Sequence, residues 1–266
     1  MSPRDRPGWF VLAVLALLVP ARLARGDGGA PRRTPGPCPD CITSLPPGAE
    51  PRPLLVLLHG DGETAASMYD AWQPSASARG IAVLALACPR AEGCASQSWW
   101  RWNGDPAWLV RQVRAVGELR PIDPARTWIV GWSGGASYLG FRTQAIEETF
   151  AAIVIHGGGM PPAAGACASR PAGVYFLVGS ANPLHSLAVG LRGHYDACGN
   201  DVTWTLLPGV DHDGERRALA AHREAILDWL ATRRLTVTAP ADATRPPDRA
   251  PGPCESGSCG AHPRRE

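Results

Sequence analysis

The sequence lacks an apolar run long enough to cross a bilayer. The N-terminal run from Trp9 to Val19 is about 11 residues long, whereas a membrane-spanning helix needs roughly 20. Arg4 and Arg6 precede this run, and Ala24-Arg25-Gly26 follows it with the small-x-small pattern that signal peptidase cleaves. We therefore predict a signal peptide over residues 1–26 and a secreted or periplasmic protein without stable membrane insertion. An uncleaved membrane anchor is the alternative.

The sequence also lacks a marked excess of charge and has no internal repeat. Its net charge is +2, its isoelectric point is about 8.2, and its arginines are scattered along the chain. A nucleic-acid-binding protein needs a concentrated basic surface, so we expect no nucleic-acid partner. A length of 266 residues with 45% apolar content is typical of one packed domain, and we expect a monomer.

Cysteine is present in an even number, eight, behind the predicted export signal. Such a set favours disulfides, because exported proteins meet an oxidising compartment. Spacing favours Cys88 with Cys94 and, by exclusion within the core, Cys167 with Cys198. Two further pairs lie at short spacing in Pro- and Gly-rich tails: Cys38 with Cys41, and Cys254 with Cys259. These four could instead form a zinc site, although export favours their oxidation.

Composition divides the rest of the chain into three parts. We predict a Pro- and Gly-rich linker over residues 27–52, an α/β domain over residues 53–235 and a disordered, cysteine-containing tail over residues 236–266. Within the domain, continuous apolar runs alternate with amphipathic segments, a pattern typical of parallel strands buried on both faces. The predicted strands are Leu54 to His59, Ile81 to Leu86, Thr127 to Gly131, Ala152 to His156, Val174 to Gly179 and Thr203 to Leu207. Helices are predicted from Asp105-Pro106 and from Gly214 to Arg233, which together favour a doubly wound, mostly parallel sheet.

The segment Gly131-Trp132-Ser133-Gly134-Gly135 follows a predicted strand and precedes a possible helix. This strand-turn-helix setting is the one in which a nucleophilic serine is exposed on a tight turn. The flanking glycines leave room for a strained backbone. We therefore predict that Ser133 is a catalytic nucleophile.

Two backbone amides are candidates for an oxyanion hole. His59-Gly60-Asp61-Gly62 ends the first predicted strand, where such a fold places one donor, and the residue after the nucleophile supplies the other. The amides of Asp61 and Gly134 match these positions. We expect the Asp61 carboxylate to point away from the developing anion and His59 to brace the loop.

His212 is the predicted general base. It follows the last predicted strand, as the chain order serine, acid, histidine requires. His156 is the main rival, but it comes too early in the chain.

Taken in order, these motifs resemble those of the polyhydroxybutyrate-depolymerase and feruloyl-esterase-like α/β-hydrolases. The likeness spans about residues 53 to 232 and includes Leu58-His59-Gly60, the Gly131–Gly135 motif, Ile122-Asp123-Pro124-Ala125-Arg126 and Phe150-Ala151-Ala152-Ile153. The resemblance implies an α/β-hydrolase fold and a secreted serine esterase that forms an acyl-enzyme and uses no cofactor. Polyesters or hydroxycinnamoyl esters would be its substrates.

The sequence departs from that family at the acid. The family places an aspartate in Gly-x-x-Asp-Pro-Leu, where this chain has Asn182. An asparagine carbonyl could still orient the imidazole but could not balance its charge. Asp196 and Asp201 are alternative acids, whereas Asp211 and Asp213 are too close to His212 in sequence.

Tryptophans near the elbow are candidate substrate-binding residues. Trp99, Trp100 and Trp102 form a cluster that could hold an aromatic acyl group or a polymer, and Trp132 adjoins the nucleophile. Alternatively, at least two of the first three belong to the core. Two other functions remain open: a catalytically silent domain used for binding, which Asn182 would explain, and an acyltransferase.

Overall fold

The computed structural model describes residues 32–163 and 165–235. The predicted signal peptide and the predicted tail, with Cys254 and Cys259, lie outside these residues. Among the described residues, no helix is long and apolar enough to span a membrane.

The described chain forms one eight-stranded sheet in the order β1-β2-β4-β3-β5-β6-β7-β8. The strands are β1 (Thr34–Pro35), β2 (Ile42–Ser44), β3 (Arg52–Leu58), β4 (Ala82–Leu86), β5 (Ile122–Trp132), β6 (Ala152–His156), β7 (Gly173–Gly179) and β8 (Asp201–Leu207). The pairings from β4 through β8 are parallel, and β2 pairs with both β1 and β4 in the antiparallel sense. All six predicted strands are present, and the predicted α/β class is confirmed.

The described residues form six α-helices, of which five lie between strands and the sixth follows β8. They are α1 (Ala65–Ala78), α2 (Ala107–Leu119), α3 (Gly134–Phe141), α4 (Thr143–Glu147), α5 (His185–Ala197) and α6 (His212–Ala231). Asp105 caps α2 by accepting the amide of Ala107 at 2.8 Å. Asp211 caps α6 by accepting the amide of Gly214 at 2.7 Å, so α6 begins two residues before the predicted start.

The sheet has a hydrophobic core on each face. Leu54, Val56 and Leu58 pack on the face covered by α2, α3 and α5, while Leu55 and Leu57 pack on the face covered by α1 and α6. All five side chains are fully buried. Burial of both faces explains why these strands are continuous apolar runs, and it places the carboxyl ends of the parallel strands at one edge.

In contrast to the linker predicted over residues 27–52, two short parts of this segment belong to the sheet. Its strands β1 and β2 extend the sheet, and Ile42, Thr43 and Ser44 are buried. The hydroxyls of Thr34 and Thr43 lie 2.8 Å apart across the two strands. Strands of two and three residues carry too little alternation to be recognised within a Pro- and Gly-rich segment.

The described cysteines form three disulfides. Cys88–Cys94 and Cys167–Cys198 are the predicted pairs, and both are confirmed. Cys38 is bonded to Cys41, so these two sulfurs are not zinc-binding thiolates in this structure. The described residues contain no group of three or more potential metal ligands.

Candidate active site

Ser133 occupies a sharp turn between β5 and α3. Its φ of 51° and ψ of −111° are unusual for a residue with a side chain. A Cβ atom at Gly131 would lie 2.6 Å from the Ala136 nitrogen, and one at Gly135 would lie 2.7 Å from the Leu58 carbonyl oxygen. Both glycines are therefore required by close backbone packing, as the nucleophile-elbow motif predicts.

His212 lies next to Ser133, although the two residues are 79 positions apart in sequence. The distance from Ser133 Oγ to His212 Nε2 is 2.9 Å, which is hydrogen-bonding distance. The imidazole stacks on the indole of Trp132, with centroids 4.7 Å apart and planes 5° apart. The turn after β8 thus brings the predicted base to the predicted nucleophile.

The carboxylate next to His212 is that of Glu215, which the sequence analysis did not identify. His212 Nδ1 lies 3.1 Å from Glu215 Oε2, and the Glu215 side chain is fully buried. Asn182 Nδ2 donates to the same oxygen at 2.6 Å, and the amide of Gly179 donates to Oε1. Ser133, His212 and Glu215 therefore form a continuous hydrogen-bonded series with the arrangement of a serine-hydrolase triad.

Asn182 has the predicted location but not the predicted contacts. Its Oδ1 accepts the amide of Leu184 at 2.8 Å, which directs Nδ2 towards Glu215 and, at 3.3 Å, the carbonyl oxygen of Gly157. Although Nδ2 lies 3.3 Å from His212 Nδ1, an amide NH₂ group is a donor and cannot accept a hydrogen bond from the imidazole N–H. The prediction that the Asn182 carbonyl orients the base is therefore wrong.

The two alternative acids also lie elsewhere. Asp196 forms an ion pair with Arg192 at 3.4 Å, and Asp201 pairs with Arg233. Neither has a hydrogen bond to His212 in the described part of the chain, so the structure does not support a catalytic role for either aspartate.

Glu215 was missed because the acid was sought in the loop after β7, as in the family. Residues three apart on a helix lie on the same side, so His212 and Glu215 meet within the first turn of α6. The available signal was an acidic residue three positions after the candidate base, on the helix face that packs against the sheet.

The amides of Asp61 and Gly134 remain the candidate oxyanion donors: Gly134 follows Ser133 directly, and a Cβ atom on Gly60, next to Asp61, would be 3.3 Å from the Ser133 Cβ. Neither amide donates to another group among the described residues, so both can bind a developing oxyanion. The loop that carries Asp61 is braced by His59, whose Nδ1 donates to the Gly60 carbonyl at 2.8 Å and whose Nε2 accepts the Cys88 amide at 3.2 Å. Burial lowers the pKa of His59, which fits this neutral form and its predicted structural role.

The Asp61 carboxylate does not point away from the elbow, in contrast to the expectation from sequence. A Cβ atom placed on Gly134 would be 2.0 Å from Asp61 Oδ1. Burial raises the pKa of Asp61, although the side chains of Ser98 and Trp100 and the charge of Arg101 act in the opposite direction. A carboxyl group with a raised pKa therefore lies against Gly134, the residue of one candidate oxyanion donor.

His156, the rival base, has a structural position. Its buried Nε2 donates to the Glu215 backbone carbonyl at 3.0 Å, and burial lowers its pKa to about 4. Its ring packs against Trp132, with centroids 4.5 Å apart and planes tilted by 49°, and its backbone carbonyl accepts the Ser133 amide at 2.9 Å.

The tryptophans divide between core and surface. Trp99 and Trp102 are 0% and 2% exposed and pack with Trp108 and Tyr138, so their predicted contact with substrate is wrong. Trp100 is 38% exposed, and the Arg101 guanidinium lies over its ring at 5.0 Å from the centroid, so only the remaining exposed part of the indole is free to contact a ligand. Trp132 is 4% exposed and supports the ring of His212.

Comparison with known proteins finds similarity at the level of structure. No family model and no curated protein matches the chain. A thermostable esterase is 20% identical, with a TM-score of 0.58 over 73% of this chain, which spans 59% of that protein. A phospholipase/carboxylesterase from Dyadobacter fermentans is 20% identical, with a TM-score of 0.55 over 73% of this chain and 99% of that one. An S-formylglutathione hydrolase from Agrobacterium tumefaciens is 17% identical, with a TM-score of 0.55 over 73% of this chain and 89% of that one.

At these identities the similarity establishes the fold, and the resemblance to polyhydroxybutyrate depolymerases and feruloyl esterases stays a prediction. The sheet order, the turn at Ser133 and the solved neighbours agree with one another. The chain has the α/β-hydrolase fold.

Proposed function

We propose that this protein is a secreted serine hydrolase that cleaves carboxylic esters through an acyl-enzyme. The observation that carries the proposal is the hydrogen-bonded series from Ser133 through His212 to Glu215, with distances of 2.9 and 3.1 Å. The esterase neighbours are consistent with it.

In the first step Ser133 Oγ attacks the ester carbonyl while His212 Nε2 takes the hydroxyl proton. Glu215 accepts a hydrogen bond from the Nδ1–H group and stabilises the imidazolium without taking its proton, and the amides of Asp61 and Gly134 bind the oxyanion. His212 then gives its proton to the departing alcohol, which leaves an acyl group on Ser133. Water attacks this ester with His212 again as the base, and the carboxylic acid is released.

The position of Glu215 weakens the case for a silent binding domain. That alternative rested on the absence of an acid at position 182, whereas a buried carboxylate lies within hydrogen-bonding distance of the base. The exposed indole of Trp100 is a suitable surface for an aromatic acyl group or a polymer chain. We therefore keep polyester-like or hydroxycinnamoyl esters as the proposed substrates.

The direct test is covalent labelling. We expect a fluorophosphonate to add one adduct to the folded protein, located at Ser133 by peptide mass, and p-nitrophenyl acetate to give a burst of one product per protein. Ser133→Ala should abolish both signals while retaining the thermal melting transition. Labelling at another residue, or no reaction of folded protein with either reagent, would overturn the proposal. A panel of hydroxycinnamoyl and hydroxybutyrate esters then identifies the acyl group.

A further inference from the structure

One carboxylate beside the site joins three separate elements. Glu63 lies in the loop between β3 and α1, two residues after Asp61. Its Oε1 accepts the indole N–H of Trp132 at 3.0 Å and also a guanidinium N–H of Arg216. Its Oε2 accepts the hydroxyl of Ser67 at 2.8 Å. Glu63 therefore contacts the end of β5, the first turn of α6 and the start of α1.

Two of these partners adjoin the candidate base. Trp132 stacks on the ring of His212, and Arg216 directly follows Glu215 on α6. The Arg216 guanidinium also lies 5.9 Å from the centroid of the Trp132 ring. Because Glu63 holds both groups, it fixes the surface against which the imidazole packs.

The backbone of Glu63 belongs to the loop that carries the Asp61 amide, a candidate oxyanion donor. The Glu63 amide donates to the Gly60 carbonyl at 3.1 Å, so the position of Glu63 and that of the Asp61 amide are linked within one turn. The side-chain amide of Gln97 lies 2.9 Å from the Glu63 carbonyl oxygen in its hydrogen-bonded orientation. The loop, the elbow and α6 thus meet at a single side chain.

We propose that Glu63 is a positioning residue that holds the imidazole of His212 and the Asp61 amide in register, a role that rests on the proposed function. The ion pair with Arg216 is partly exposed, with side-chain exposures of 48% and 22%, and such pairs contribute little to stability. Displacement of a catalytic group by about 1 Å can cost on the order of 100-fold in rate. Loss of the Glu63 side chain should therefore lower kcat by a large factor while changing the melting temperature little.

The test compares Glu63→Ala and Glu63→Gln with a matched control. Arg79 also joins α1 to α6, through ion pairs with Glu224 and Asp228, but it has no contact with the site. We expect Glu63→Ala to lower kcat by about 10- to 100-fold with KM changed by less than about threefold. Glu63→Gln keeps an acceptor for Trp132 and should recover part of this loss. Arg79→Ala should leave kcat near the wild-type value and, because its ion pairs are also partly exposed, should change the melting temperature little.

A spectroscopic measurement separates this proposal from the esterase proposal. Stacking on Trp132 should shift the ring-proton NMR resonances of His212 upfield, whether or not the protein turns over an ester. Loss of that shift in folded Glu63→Ala, with retention in Arg79→Ala, supports positioning. Wild-type kcat and an unchanged His212 resonance in Glu63→Ala would overturn it, as would an equal loss of kcat in both variants.

Discussion

Glu215 is enclosed by protein, and its surroundings account for the amide at position 182. Its two oxygens are met by the Gly179 amide and by Asn182 Nδ2, the latter at 2.6 Å. An aspartate at position 182 would place two carboxylates at this distance, where like charges oppose ionisation of both. Asn182 and Glu215 are therefore complementary, and asparagine at the usual acid position does not indicate a silent enzyme.

The charge of Asp61 should also influence catalysis. Its carboxyl group lies against Gly134, so its ionised form opposes negative charge in the oxyanion hole. We expect Asp61→Asn, which keeps the backbone amide, to raise kcat on a neutral ester, by at most about tenfold because solvent screens the charge. Since the pKa of Asp61 is raised, the gain should grow as pH rises and shrink at acidic pH, where the wild-type group is protonated.

The measurement is the ratio of kcat for Asp61→Asn to kcat for wild type across acidic to neutral pH. A ratio of one at every pH, with both proteins folded, would show that the carboxyl group does not influence the oxyanion.

At the scale of elements, the first five residues of α6 supply most of the titratable and charged side chains around Ser133. They include His212, Glu215 and Arg216, and the Asp211 cap fixes where the helix begins. If the base and the acid lay in two different loops, each loop would have to be held in place separately. Here one helical turn holds His212 and Glu215, while Ser133 lies directly after β5 and Trp132, the last residue of β5, stacks on the His212 ring.

At the scale of the whole molecule, buried His156 makes global stability depend on pH. Its pKa is about 4 in the folded protein and 6.5 in its ordinary state, so the unfolded chain binds a proton first as pH falls. The free energy of unfolding should therefore decline between about pH 6.5 and pH 4, with a contribution of about 2 kcal/mol lost at pH 5.

Urea unfolding at pH 7 and pH 5 measures this decline. His156→Asn cannot take up the proton, so its free energy of unfolding should change less between the two pH values than that of wild type. Equal declines in both proteins would remove His156 as the cause, and NMR titration of its imidazole provides the independent check.

Some features of this fold could be predicted from the sequence and others could not. The strands β3 to β8 were predictable because burial of both faces makes each one a continuous apolar run, as in Leu54–Leu58. The contact between Ser133 and His212 was predictable because the Gly131–Gly135 motif marks the turn after a buried strand and this fold places a histidine after its last strand. The edge strand Ile42–Ser44 is too short to show a pattern. Glu215 was not predicted because its role depends on a local helical contact rather than on a motif.

Glu215 is the proposed acid that supports His212. Its most direct test is a mutant cycle of Glu215→Gln and Asn182→Asp, with kcat measured on one activated ester for both single variants and the double variant. Glu215→Gln should lower kcat by about 100- to 10,000-fold, on the scale of the Asp-to-Asn change in serine proteases. Asn182→Asp should also lower kcat, because it sets a second carboxylate against Glu215. In the double variant the carboxylate is at position 182, where the side-chain nitrogen of Asn182 lies 3.3 Å from His212 Nδ1. The kcat of the double variant should therefore be higher than that of either single variant. A folded Glu215→Gln variant with wild-type kcat, or an Asn182→Asp variant more active than wild type, would contradict the account.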